Sequence, residues 1–289
     1  MAKIMSHARS ISLPTSSHPL FASAEEHLQR LESSKGASSS SPHASACKKL
    51  DGLKNLYEYL DDVLQLPLSQ KVLSHEICGK WDEEVLDGSL RLLDICGAVR
   101  EIYSQMREIV QTLESSLRRK RGGDYLVNEI GSYLVSKKQL NKMICKCYKE
   151  LKRAEKKCEK RKDSDRDPLV KLIKEVQETS FSILDSTLSF ISQSKAAGSQ
   201  QRSWSLVSKF IQQKGSSYEG DSDIEKIDVE LHLLNNKKSN KASYLLETQN
   251  PLKRLEAFET SIQELAEVLE IMFRLLLKTR VSLLNILNH

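Results

Sequence analysis

The chain has 289 residues, 39% of them hydrophobic and 29% charged, with a formal charge of +5. That is enough for a solvated domain with a real core, and the charge is too small to indicate a nucleic-acid binder by itself. No apolar run reaches the roughly 18–20 residues of a membrane span. Eleven Gly, six Pro and few aromatics argue for long helices over many strands.

Residues 1 to 18 are polar and without periodicity, which predicts a disordered tail. The stretch up to residue 24 is Ser-rich and lacks acidic residues, a weak echo of a transit peptide. Within the tail, Arg9, Ser10, Ser12 and Pro14 fit the R-S-x-S-x-P pattern read by 14-3-3 proteins. A phosphate on Ser12 would add about −1.5 to −2 charges for an arginine cluster to grip. Phe21, Ala24, Leu28 and Leu31 have helical spacing. Ser33 to His43 reads as a flexible linker, and 1–43 is assigned to a tail preceding one helical domain over 44–289.

Helix is predicted over 46–64, ended by Pro67, with a short piece through Val72 and Leu73. Trp81 to Arg119 reads as one rod, about 57 Å long at 1.5 Å per residue. Its expected apolar face runs Val85, Leu86, Leu90, Leu93, Val99, Ile102, Met106, Ile109, Leu113 and Leu117. Gly97 inside it costs about 1 kcal/mol in propensity, which suggests a close helix crossing there. Residues 124–162 form the next long helix. Asp167 and Pro168 then supply a cap and a first helical residue for the helix that follows. Residues 204–211 read as a short helix, and 224–234 as an amphipathic one.

The last helix has the clearest pattern. Leu255, Phe258, Ile262, Leu265, Leu269, Met272, Leu276, Thr279, Leu283 and Ile286 step by three and four. Asn250 and Pro251 are its expected start. From Leu269 onward, Ile271, Phe273, Leu275, Leu277, Val281, Leu284 and Leu287 fill the other faces, so this helix is expected inside the bundle. The predicted fold is therefore all-α: an elongated bundle of long helices around a buried C-terminal helix. Its length matches the rod at 81–119, which predicts antiparallel packing of the two.

Charge concentrates in one place. Residues 137–162 hold twelve basic and three acidic residues, a net of +9, leaving −4 for the rest. Leu140, Ile144, Cys147, Leu151, Ala154 and Cys158 form the apolar seam of this helix. Lys138, Lys142, Lys146, Lys149, Arg153, Lys157 and Lys160 are candidate contacts for an anionic surface, either lipid or an acidic protein. Lipid contact is worth about 1 kcal/mol per basic residue. Tyr148 alone offers a base-stacking ring, which argues against nucleic acid. A merely solvated face competes with both readings.

Catalytic chemistry is not expected. The seven histidines show no ligand spacing. Cys145 and Cys147 point to different helix faces, and no Cys-x-x-Cys pair or following His completes a zinc set. The six cysteines read as free thiols of a reducing compartment. Phosphate-binding and nucleophile-elbow motifs are absent. No metal or cofactor is expected.

Four blocks nevertheless resemble a known family. They are Arg9-Ser10-x-Ser12-Leu13-Pro14 with His18-Pro19, then Leu56-Tyr57-x-x-Leu60-Asp61-Asp62-x-Leu64-Gln65-Leu66-Pro67. Leu86-Asp87-Gly88-Ser89-Leu90-Arg91-Leu92-Leu93-Asp94-Ile95-Cys96-Gly97 is the third. The fourth runs from Phe273-Arg274-x-Leu276 through Arg280-Val281-Ser282-Leu283-Leu284-Asn285-Ile286-Leu287. In order and extent this is similar to the land-plant BYPASS-like family, with 200–245 the poorest match. The resemblance implies a helical plant protein without catalytic residues. It connects some relatives to root and shoot development, and related helical families to membrane trafficking. Asp61, Asp62 and Arg280 are expected only to cap or pair inside the bundle. The combined reading is an interaction or adaptor protein in the cytoplasm. The alternatives are a peripheral membrane protein that uses the basic helix and a nuclear location with the basic run as import signal.

Overall fold

A computed structural model describes residues 18–33, 41–75, 81–119, 123–159, 167–192, 223–236 and 249–288. Eight helices lie among them: α1 Pro19–Ser33, α2 Pro42–Gln65, α3 Pro67–His75, α4 Trp81–Arg118, α5 Gly123–Glu159, α6 Pro168–Ile191, α7 Asp223–Asn236 and α8 Gln249–Leu287. The 14-3-3 motif, Lys160 and the helix expected at 204–211 lie outside the described residues.

Local chemistry sets the starts of several helices. Ser41 accepts a hydrogen bond from the Ala44 amide at 3.2 Å, and Pro42 occupies the first turn. That cap carries α2 one turn further back than apolar spacing alone predicts. Asp167 caps α6 as expected, accepting from the Leu169 amide at 2.8 Å. The expected cap at Asn250 is displaced. α8 already begins at Gln249, so Asn250 and Pro251 sit in its first turn.

Cross-helix pairs give the topology. Arg100 meets Glu270 at 2.9 Å and Arg118 meets Glu256 at 3.0 Å, so α4 and α8 run antiparallel, as their matched lengths predict. Tyr57 bonds Ser180 and Lys49 bonds Ser186, so α2 and α6 are antiparallel too. Gln177 donates to the Val85 carbonyl at 3.0 Å and Tyr103 to the Thr187 carbonyl at 2.7 Å, which makes α4 and α6 parallel. α5 lies antiparallel on α4, with Ser116 bonded to Glu129 near one end and Lys157 paired with Asp87 near the other.

α1 is not a detached part of a tail. Phe21, Ala24, Leu28 and Leu31 are buried and belong to the same contiguous core as the other seven helices. Close approach fixes its contact with α2, because a Cβ at Gly52 would stand 2.4 Å from Leu31 Cδ2.

All ten seam positions of α8 are buried. The enclosure expected for the rest of that helix is incomplete: Ile271, Leu277 and Val281 are 43%, 48% and 48% exposed. α4 is the helix packed by long neighbours on several sides, with contacts to α5, α6 and α8. Accordingly Leu92, Ile95, Cys96, Tyr103 and Val110 are buried beside most of its expected face. Leu90 departs from that face and is 44% exposed.

Gly97 is not a tight crossing. A Cβ there would meet only Phe273 Cε2 at 3.5 Å, an ordinary contact. The close approach along α4 is at Gly88, where a Cβ would lie 2.3 Å from Gln177 Oε1.

Candidate functional site

Two outward faces of the bundle carry unusual chemistry. The first is on α5. Its buried side is Leu126, Ile130, Tyr133, Leu140, Ile144, Cys147, Leu151 and Ala154. At 100° per residue the opposite side carries Lys138, Lys142, Lys146, Lys149, Lys152, Arg153 and Lys156, all exposed. This face is about 27 Å long. Among the described residues no carboxylate pairs with Lys138, Lys142, Lys146 or Lys149. Arg153 pairs with Glu150 at 2.6 Å, one turn back on the same helix. Cys145 is exposed on this face, whereas Cys147 is buried.

Two basic residues of this helix turn inward. Lys137 is buried, and its ammonium pairs with Asp228 of α7. Tyr133 donates to the same carboxylate at 3.0 Å. Burial lowers the Lys137 pKa while the Asp228 charge opposes that shift. Lys157, a candidate surface contact by sequence, is instead held by Asp87 at 2.5 Å. Asp87 also takes Arg91 at 3.0 Å. Burial pushes the Asp87 carboxyl up, but the two cations outweigh it and the pKa falls below its ordinary value. This pair borders a cavity of about 50 Å³ between α4, α5 and α6, which also holds Lys174 paired to Glu84 at 2.5 Å.

The second face is on α8 and α4. Phe273, Leu277, Val281 and Leu284 follow at four, four and three residues, so they form one row beside the buried seam. Arg280 donates to the Leu86 carbonyl at 2.5 Å and to Ser89 Oγ at 2.7 Å. That pair pins the register and sets Leu90 of α4 at the level of Val281. Further along, Gly97 stands against Phe273, and Arg100 stacks over the Phe273 ring at 4.3 Å. Leu277 and Val281 of this row are each 48% exposed and Leu90 is 44% exposed, while Phe273 is half-buried beneath Arg100.

Polar residues of the family blocks do internal work. Asp61, 10% exposed, pairs with Lys278 at 2.8 Å, and Ser282 donates to it at 3.4 Å. With Arg280 this ties the middle of the second block and the start of the third to the fourth.

Among the described residues one group of side chains has the donors for a metal ion: His43, Cys47 and Glu264. The His43–Cys47 spacing of four residues is visible in the sequence. Glu264 comes from the far side of the chain, and nothing in the sequence associates it with them.

These features define an all-α bundle with up-and-down long helices, no strand among the described residues, and two outward faces of opposite chemistry. The family described as Protein BPS1 matches residues 49–286, and the chain belongs to that plant family, the BYPASS-like proteins. The match spans the second and third blocks and all but the last residue of the fourth. No curated protein and no solved structure matches the chain. No helix among the described residues is long and apolar enough to cross a membrane.

Proposed function

We propose that this protein is a non-catalytic adaptor in plant root and shoot development, and that it receives a partner helix on the exposed apolar row of α8 beside α4. The family points to a developmental role. The observation that carries the adaptor reading is the clustering of exposed apolar side chains. Val135, Val229 and Leu233 are exposed on other helices, whereas exposed Leu277 and Val281 are one turn apart on α8 and exposed Leu90 lies at their level on antiparallel α4. Scattered apolar residues are normal on a surface; a contiguous cluster marks a contact site. An amphipathic helix would add its own i, i+4 row to that of α8. A phosphorylated Ser12 would give a second handle, for a 14-3-3 protein.

The unpaired lysines of α5 support a second reading, peripheral attachment to an anionic membrane. Six or seven basic residues at about 1 kcal/mol each would hold the protein at low salt and release it at high salt.

Proximity labelling in root tissue separates the readings. Three full-length baits are compared: wild type, Leu277→Asp with Val281→Asp, and Lys138, Lys142, Lys146 and Lys149 all changed to Gln. Loss of soluble labelled proteins in the α8 variant alone supports the adaptor. Loss of membrane proteins in the lysine variant alone supports the second reading. Identical labelling by all three baits sinks both.

A further inference from the structure

We propose that His43, Cys47 and Glu264 form a zinc-class metal site that staples the first turns of α2 to the middle of α8.

The three donors converge. His43 Nε2 lies 3.3 Å from Cys47 Sγ and 3.2 Å from Glu264 Oε2. All three donor atoms fall within 4.8 Å of one another. Zinc bonds nitrogen and oxygen at about 2.0–2.2 Å and sulfur at about 2.3 Å, so the edges of a tetrahedral site are about 3.3–3.7 Å. The two shortest separations, 3.2 and 3.3 Å, lie at the short end of those edges. The same nitrogen faces both partners. That arrangement suits convergence on one ion and does not suit a relay, in which the carboxylate would take the other ring nitrogen.

The elements that carry the donors are ordered. Ser41 caps α2 two residues before His43, and His43 and Cys47 share one helix face at a spacing of four. The His43 ring packs at 5.8 Å on Phe190, which packs at 5.9 Å on Phe258 of α8. That aromatic stack backs the imidazole and orients it toward Glu264. His43 and Cys47 are half-buried and Glu264 is exposed, so the ion has an entry path and solvent supplies a fourth ligand.

The donor set selects the ion. One thiolate, one imidazole and one carboxylate suit zinc or cobalt(II) and disfavour magnesium and calcium, which take oxygen ligands. Binding displaces the Cys47 proton, so affinity falls as the pH is lowered. Because α2 and α8 are far apart in sequence, the ion would also stabilise the folded chain.

Cobalt(II) titration of the reduced full-length protein tests the site. The expected result is a thiolate-to-cobalt absorption band that saturates at one ion per chain and is displaced by zinc. Cys47→Ser removes the band, and Glu264→Gln weakens binding at least tenfold. Zinc raises the Tm of the wild type and leaves that of Cys47→Ser unchanged. Glu264→Gln alters an exposed side chain, and unchanged helicity by circular dichroism confirms its fold. Absence of the band at saturating cobalt overturns the site. So does a band that persists in Cys47→Ser, since it would belong to another cysteine, or an unchanged affinity in Glu264→Gln.

Discussion

α5 and α8 are both long helices with a three-four apolar seam, and they depart from their sequence patterns in opposite directions. α5 buries a charge: Lys137 lies beside the seam and meets Asp228 and Tyr133 inside the molecule. α8 exposes apolar groups: Leu277 and Val281 stand about half in solvent although they adjoin the seam. A helical period assigns a face, but neighbours decide where that face ends. α7 covers the flank of α5 and supplies an acid for the lysine. No described helix covers the outer row of α8.

The contrast can be broken most forcefully at Lys137. Lys137→Ala breaks the buried Lys137–Asp228 pair, and we expect a loss of about 3–5 kcal/mol in chemical denaturation. Lys138→Ala, one residue away on the outer face, should stay within about 0.5 kcal/mol of wild type. Equal effects would mean that the two lysines share one environment.

A pair on α8 sharpens the other half. Leu276 is buried and Leu277 is half-exposed. Leu276→Ala should cost about 2–5 kcal/mol through lost burial and the cavity left behind. Leu277→Ala should cost well under about 1 kcal/mol and act on partner binding instead. A large loss of stability at Leu277 would show that the row packs inside the molecule and is not a docking face.

The glycines of α4 give the smallest effects, with opposite signs. Gly88→Ala pushes against Gln177, whose amide is held by the Val85 carbonyl, and should cost about 1–3 kcal/mol as that buried bond is strained or lost. Gly97→Ala meets only Phe273 at contact distance and should gain up to about 1 kcal/mol from helix propensity. Thermal melts of the two variants, shifted in opposite directions, would confirm that the tight approach is on the α6 side of α4 and the looser contact on the α8 side.

Much of the architecture was legible in the residues themselves. All ten α8 positions spaced by three and four are buried, and Pro251 in the first turn is the one other buried residue of that helix. Asp167 and Pro168 marked the start of α6, because a side-chain acceptor and a donor-less residue satisfy a helix start using only local atoms. The free face of Lys138, Lys142, Lys146 and Lys149 followed from their position opposite the α5 seam. These are properties of one helix, set by its own period.

What required the tertiary structure involves two or more helices at once. The sequence placed Lys157 with the surface lysines and counted Lys137 only as part of the basic stretch, and Asp228 and Asp87, distant in the chain, pair with the two of them. Gly97 drew attention as a mid-helix glycine, yet the tight contact is at Gly88, since only the position of Gln177 tells the two apart. Leu90 looked like core, and the packing of α4 on α8, with Arg280 bonded to neighbouring Ser89, leaves it 44% exposed. His43 and Cys47 share a helix face by spacing, but Glu264 joins them only because α2 and α8 lie side by side. Periodicity and capping depend on atoms a few residues apart, so the chain states them directly; burial of a charge, exposure of a leucine and convergence of ligands depend on which distant helix arrives alongside.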